Sequence, residues 1–196
     1  LDERKPKRIG VNVSNVIWAA DGLTVALNER LRDTLGPELS GRIVSAEPLA
    51  IRWLETRLPR ELELYHHACA IAHELIRETF SRRVVTPGVT TTDDLRWHYW
   101  QRSTDLGLPV SFSPFFRRFR GTPNIETWGE DDGVIRHGDM LHCDVGVEYL
   151  RIITDHQELA YVLKPGETDA PAGLRDGMRQ AGRLQDIFTG AWQQGL

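Results

Sequence analysis

GDMLHCDVGVEYLRIITDHQELAYVL, residues 138–163, decides the fold. Its arms, Met140–Val147 and Ile152–Val162, alternate with the period of a strand and lie close enough to pair as a β-hairpin. A tight turn centred on Tyr149 and Leu150 is expected, setting Asp144 opposite Asp155, Gly146 opposite Ile153 and His142 opposite Gln157. Directly opposed residues point to one face, with Cβ atoms roughly 4.5–5.5 Å apart. Two carboxylates held that close repel unless a cation or a proton sits between them. Oxygen donors at this spacing suit a divalent ion, or two ions sharing a bridging ligand. The hairpin therefore reads as half of a metal site.

The competing reading is a solvent-facing hairpin whose two acids happen to align. The alternation argues against it. Leu141, Cys143 and Val145 form one apolar face beside His142, Asp144 and Gly146, and Asp155 shares its face with Ile153, Leu159 and Tyr161. An acid among apolar neighbours is not simply solvated.

The rest of the chain reads as two parts. Arg8–Val13 is a strand, Asp21–Leu35 an amphipathic helix stopped by Gly36-Pro37, Arg42–Ser45 a second strand and Glu47–Glu55 a second helix. This piece is too short to build a core alone. A boundary falls at Arg57-Leu58-Pro59, where proline opens a helix running to Arg82 with Leu62, Tyr65, Ala68, Cys69, Ala72, Ile76 and Phe80 as its stripe. Thr92 is the expected N-cap of the next helix, which ends near Gly107. Val110–Phe116 reads as a strand interrupted or placed at an edge by Pro114. A last helix starts at Pro171, carries Leu174, Met178, Ala181, Leu184, Ile187, Phe188 and Ala191, and stops at Gln194-Gly195-Leu196.

Composition narrows the class. With 27% charged and 40% hydrophobic residues the 196-residue chain is globular rather than disordered, and a net charge of −4 gives no general attraction to nucleic acid. The Arg117-Arg118-Phe119-Arg120 run reads as a solvated loop. No apolar run reaches membrane-spanning length. Cys69 and Cys143 sit at apolar-patterned positions and read as buried thiols, which favours a reducing, cytoplasmic setting. The chain opens at Leu1 without Met or signal peptide and reads as a fragment, so a targeting segment would lie outside it.

Three other groups attract attention. His66, Cys69 and His73 have helical spacing, but a closed zinc site needs four ligands and no partner pair is evident. Trp97, Tyr99 and Trp100 beside Arg96 and Arg102 read as packing residues covered by arginine stems. His142 shares a face with Asp144 as a candidate orienting partner.

The hairpin, with its Asp-x10-Asp spacing, resembles the first two ligand strands of the pita-bread metallopeptidases: methionine aminopeptidases, prolidases, Xaa-Pro aminopeptidases and creatinase. VVTPGVTTTDDLRWHYWQR (84–102) resembles the turn and second helix of that domain, and LKPGETDAPAGLRDGMRQAGRLQDIF (163–188) the segment after the second ligand strand. The resemblance runs over most of Leu58–Leu196 and is nearest to the Xaa-Pro branch. It implies an α+β fold: the first half of a pita-bread domain over 58–196, preceded over 1–57 by the tail of a smaller creatinase-like α/β domain. It also implies a metal-dependent exopeptidase, an aminopeptidase or dipeptidase cleaving Xaa-Pro bonds by a metal-bridged hydroxide. Two divalent ions (Mn, Co or Zn) would be held in part by Asp144 and Asp155. The partner would be a short peptide with Pro at its second position, with no nucleic acid or membrane; a homodimer is compatible.

The sequence also departs from that family. Its remaining His and two Glu ligands would lie beyond Leu196. Ser113, in Phe112-Ser113-Pro114-Phe115-Phe116, stands at the position resembling the family's substrate-contacting His, and a hydroxyl cannot hold a proton near neutral pH as imidazole does. Leu150-Arg151 replaces a glycine-containing turn, and His137 a proline. These departures define the alternative, a catalytically inactive pita-bread module that binds peptides or proteins. The chain alone is expected to bind metal weakly, to be inactive, and to expose a sheet edge and apolar surface.

Overall fold

The computed structural model describes residues 3–121 and 132–195. The chain divides into two units, Leu1–Arg60 and Glu61–Leu196. In the first, β1 (Ile9–Val11) pairs in parallel with β2 (Ile43–Ser45) across α1 (Val25–Ser40), and α2 (Glu47–Glu55) follows. The start of α1 is set by Thr24, whose hydroxyl accepts from the Leu27 amide at 3.3 Å, so Asp21 is not its opening residue. At Gly36 the backbone leaves the helix (φ 71°, ψ 173°), as a Gly-Pro stop predicts. Pro37 then opens a short further turn to Ser40, its missing N–H costing nothing at a first helical position.

The second unit runs α3 (Pro59–Thr79), α4 (Thr92–Asp105), β3 (Phe115–Phe119), β4 (Met140–Val145), β5 (Glu148–Tyr149), β6 (Ile152–Ile153), β7 (His156–Tyr161) and α5 (Ala172–Gln193). β3, β4 and β7 form an antiparallel sheet in that order, and β5 and β6 form the tip of the hairpin. Alternation on β4 works as read: Leu141, Cys143 and Val145 are buried, while Met140, His142 and Asp144 are half-buried on the other face. The buried face packs with Ala72, Leu75 and Ile76 of α3 and Leu95 and Tyr99 of α4. Each fully buried Leu, Ile or Val side chain contributes roughly 1.5–3 kcal/mol. Leu62, assigned to the α3 stripe, is 53% exposed, and Leu75 takes its place in the core.

Several expectations are corrected. α4 is capped by Thr91, not Thr92: Thr91 Oγ1 accepts from the Asp94 amide at 3.1 Å and Asp94 Oδ2 accepts from the Thr91 amide at 2.8 Å, a reciprocal capping box. The strand around Pro114 begins only at Phe115, and Val110 makes an isolated bridge to Val147. Arg117, Arg118 and Phe119 of the arginine run are not loop but part of β3, Arg120 follows the strand, and the Arg118 side chain is only 9% exposed. Arg120 grips the fully buried Asp139 with two bonds, Nε to Oδ1 at 2.7 Å and Nη2 to Oδ2 at 2.8 Å. The Arg136 amide adds a third at 2.7 Å, so the buried carboxylate is compensated. Cys69 is half-buried rather than buried. No residue of α5 is buried, and Leu184, Ile187, Phe188 and Trp192 lie largely exposed.

The hairpin register also differs. Asp144 pairs with Gln157, Val145 with His156 and His142 with Leu159, and at the tip Tyr149 pairs with Ile152. The turn is centred on Leu150-Arg151, one residue later than expected, which moves every partner by two. Both turn residues have positive φ, 51° and 66°, as a two-residue hairpin turn of primed type demands. A left-handed backbone costs a residue with a Cβ roughly 1–2 kcal/mol. Leu150→Asn combined with Arg151→Gly is therefore expected to stabilise the protein by about 1–2 kcal/mol, read as a higher urea midpoint at unchanged slope.

Candidate functional site

Asp144 lies near the end of β4 on the face turned away from the core. Asp155 lies between β6 and β7 and is exposed. The register sets Asp155 diagonal to Asp144 rather than opposite it. A shift of two residues preserves the face, because strand side chains alternate with period two. The two carboxyl groups remain near enough for each to feel the other's charge. Burial first, and then the Asp155 charge, push the Asp144 carboxyl above the ordinary carboxylate range, while His142 pulls it the other way.

The close approach depends on an interruption of the ladder. Thr154 N donates to the Val147 carbonyl at 3.0 Å, but Val147 N donates to the Thr154 hydroxyl, at 3.1 Å, rather than to its carbonyl. That carbonyl instead accepts from Ser111 Oγ at 3.2 Å. It occupies the space beside Gly146: a Cβ there would lie 1.9 Å from Thr154 O and 2.2 Å from Ser111 Oγ. Gly146 is thus required by space. The sequence signal was a glycine inside a strand pattern, which marks close backbone approach. Ser111 and Thr154 carried no such signal.

A polar chain positions Asp144. Gln157 Nε2 donates to Asp144 Oδ2 at 3.4 Å, and Gln157 Oε1 accepts from His142 Nε2 at 3.2 Å. An amide oxygen only accepts, so His142 carries its proton on Nε2 when neutral. Phe115, paired with Asp144 across the sheet, places its ring centroid 6.5 Å from that of His142. Ser113 is exposed, two residues ahead of β3.

Two neighbouring carboxylates are hard oxygen donors whose repulsion a divalent cation would relieve, so the pair fits a metal. It fits as part of a set, because no group of three or more His, Cys, Asp or Glu gathers around a common point among the described residues. That includes His66, Cys69 and His73. Instead His73 Nε2 contacts Glu158 Oε1 at 3.3 Å and its ring meets His156 edge-on at 4.6 Å. Under the same strand the Cys143 thiol is fully buried and, chiefly by burial, pushed up to about 11. The aromatic group on α4 is split: Tyr99 is core, whereas Trp97 is 60% exposed, stacked on Trp100 at 5.8 Å with Arg96 above it at 5.6 Å. Trp97 is therefore not a packing residue. No described helix is long and apolar enough to cross a membrane.

Comparison with known proteins bears on this geometry. No family model and no curated protein matches the sequence. Solved structures do match in fold. An X-Pro aminopeptidase from Thermotoga maritima MSB8 superposes with TM-score 0.60 at 16% identity, over 85% of this chain and 44% of that one. Proline aminopeptidase P II from Yersinia pestis gives 0.59 at 16% identity, over 81% and 36%. A prolidase from Thermococcus sibiricus gives 0.51 at 18% identity, over 74% and 38%. The mixed helix-and-sheet architecture is thus that of the pita-bread peptidases, and the chain spans less than half the length of each.

Two outcomes follow from the site's geometry. Gly146→Ala is expected to cost about 1–3 kcal/mol, because backbone must move to admit the methyl group; a denaturation midpoint equal to wild type would contradict this. Asp144→Asn should behave in the opposite sense in metal-free protein. With the folded carboxyl raised, its favourable contribution is complete below the unfolded value and is lost as pH rises through the folded one. The variant is therefore expected to be as stable as wild type or more so at neutral pH, with less loss of stability between acid and neutral pH. Urea midpoints across that range check it.

Proposed function

We propose that this chain belongs to a metal-dependent exopeptidase, an aminopeptidase or dipeptidase acting on short peptides with proline at the second position. One observation carries the proposal: two aspartates set diagonally on one face of the central hairpin of a pita-bread fold, near enough to interact electrostatically. The similarity to X-Pro aminopeptidases and a prolidase supports the substrate class.

Asp144 and Asp155 would hold divalent metal, Mn, Co or Zn, with further ligands from outside the chain described. When bound, such ions supply Lewis-acid polarisation of the scissile carbonyl and a water of lowered pKa. The chain's own residues prepare that chemistry. Gln157 and His142 hold one Asp144 oxygen in a fixed direction, leaving the other for a cation. Phe115 gives an apolar wall beside Asp144, and the Ser113 hydroxyl would donate one hydrogen bond to a bound peptide. Ser113 also supports a second reading, an inactive module that binds a peptide without cleaving it.

The test is hydrolysis of Xaa-Pro peptides by the intact protein with Mn²⁺, Co²⁺ or Zn²⁺, alongside melting curves with and without Mn²⁺. Turnover is expected in wild type and none in Asp144→Asn or Asp155→Asn. The metal-induced rise in melting temperature is expected to shrink in both variants. Equal rises in all three proteins would overturn the ligand assignment. A metal-dependent rise without turnover on any substrate would favour the binding module.

A further inference from the structure

At the opposite end of β4 and β7 from the aspartate pair, and sharing no residue with it, a cleft of about 620 Å³ opens between the end of α3, residues 85–87 and residues 163–167. That volume lies within the range of small-molecule sites, roughly 300–1,000 Å³. Its floor is apolar, formed by Phe80, Val85, Leu141, Ala160 and Val162. Arg82, His137 and Lys164 stand around it against a single acid, Glu167. That acid is already engaged: its Oε2 accepts from the Lys164 amide at 2.8 Å. His137 is engaged too, its Nδ1 donating to the Leu163 carbonyl at 2.6 Å. The Lys164 stem is braced on Gly138, where an added Cβ would lie 2.8 Å from Cε. Neither the Arg82 guanidinium nor the Lys164 ammonium has a partner among the described residues.

Two unpaired cations over an apolar floor, in a chain of net charge −4, are complementary to one anionic head on an apolar body. We propose that this cleft binds a small amphipathic carboxylate, its head met by Arg82 and Lys164 and its hydrocarbon body lying on the floor.

Isothermal titration of the chain with octanoate, octanol and acetate tests this, together with light scattering and two variants, Arg82→Gln/Lys164→Gln and Ala160→Phe. Octanoate is expected to bind once per chain, with octanol and acetate each at least about tenfold weaker, since head and tail both contribute. The double variant should weaken octanoate about tenfold without affecting octanol, a change of about 1.4 kcal/mol. Ala160→Phe should abolish binding by filling the floor, and if it does not fold, the double variant still decides. Several outcomes would overturn the proposal: no octanoate binding, octanol binding as tightly as octanoate, or affinity unchanged by the double variant, which would locate binding on other exposed apolar surface. So would a dimer that only Ala160→Phe dissociates, which would give the cleft to a second copy of the chain.

Discussion

The Thr154 carbonyl stands 1.9 Å from where a Cβ on residue 146 would be, so the two arms of the hairpin meet as they do only because that residue is glycine. The rest of the site follows from that contact. With its carbonyl turned to Ser111, Thr154 offers its hydroxyl to the Val147 amide instead, so that amide keeps a partner at the crossing. The same register runs through the interruption, from Asp144 and Gln157 on one side to Tyr149 and Ile152 on the other. Asp155 falls in the gap between β6 and β7, where it meets Asp144 without taking a place in the ladder.

The two ends of this hairpin are unequally fixed. At its base, Asp139 is buried and fully compensated by Arg120 and the Arg136 amide. Removing one partner from such a pair typically costs about 3–5 kcal/mol. At its tip, Leu150 and Arg151 sit in a backbone region that favours glycine and asparagine. The pairing of the arms and the buried face of β4 must offset that strain. The base is thus the better-fixed end, and the aspartates lie between the two.

Much of this was legible in the residues, and the limits have physical causes. Period-two alternation gave the buried face of β4 and the common face of the aspartates, because a register error of two leaves parity intact. The register itself was misread because Leu150-Arg151 lacks the glycine or asparagine that usually marks a primed turn. Pro114 signalled a break, but the strand begins only on its far side and runs through arginines that looked like a loop. Arginine stems cover apolar surface while their heads pair elsewhere, so composition alone hides them. Asp139 was missed because its partner, Arg120, is distant in sequence, and Gln157 because an amide beside a carboxylate has no distinctive spacing.

Cys143 gives this hairpin a gauge of its own opening. Its thiol is fully buried under Asp144's strand and raised to about 11, so in the closed molecule it offers almost no thiolate to an alkylating reagent. Cys69, half-buried on α3, has no such shielding. Modification of Cys143 must wait for β4 to part from its helices, and its rate measures how often that happens. The two thiols together separate local loosening of the aspartate-bearing strand from accessibility at the helix surface.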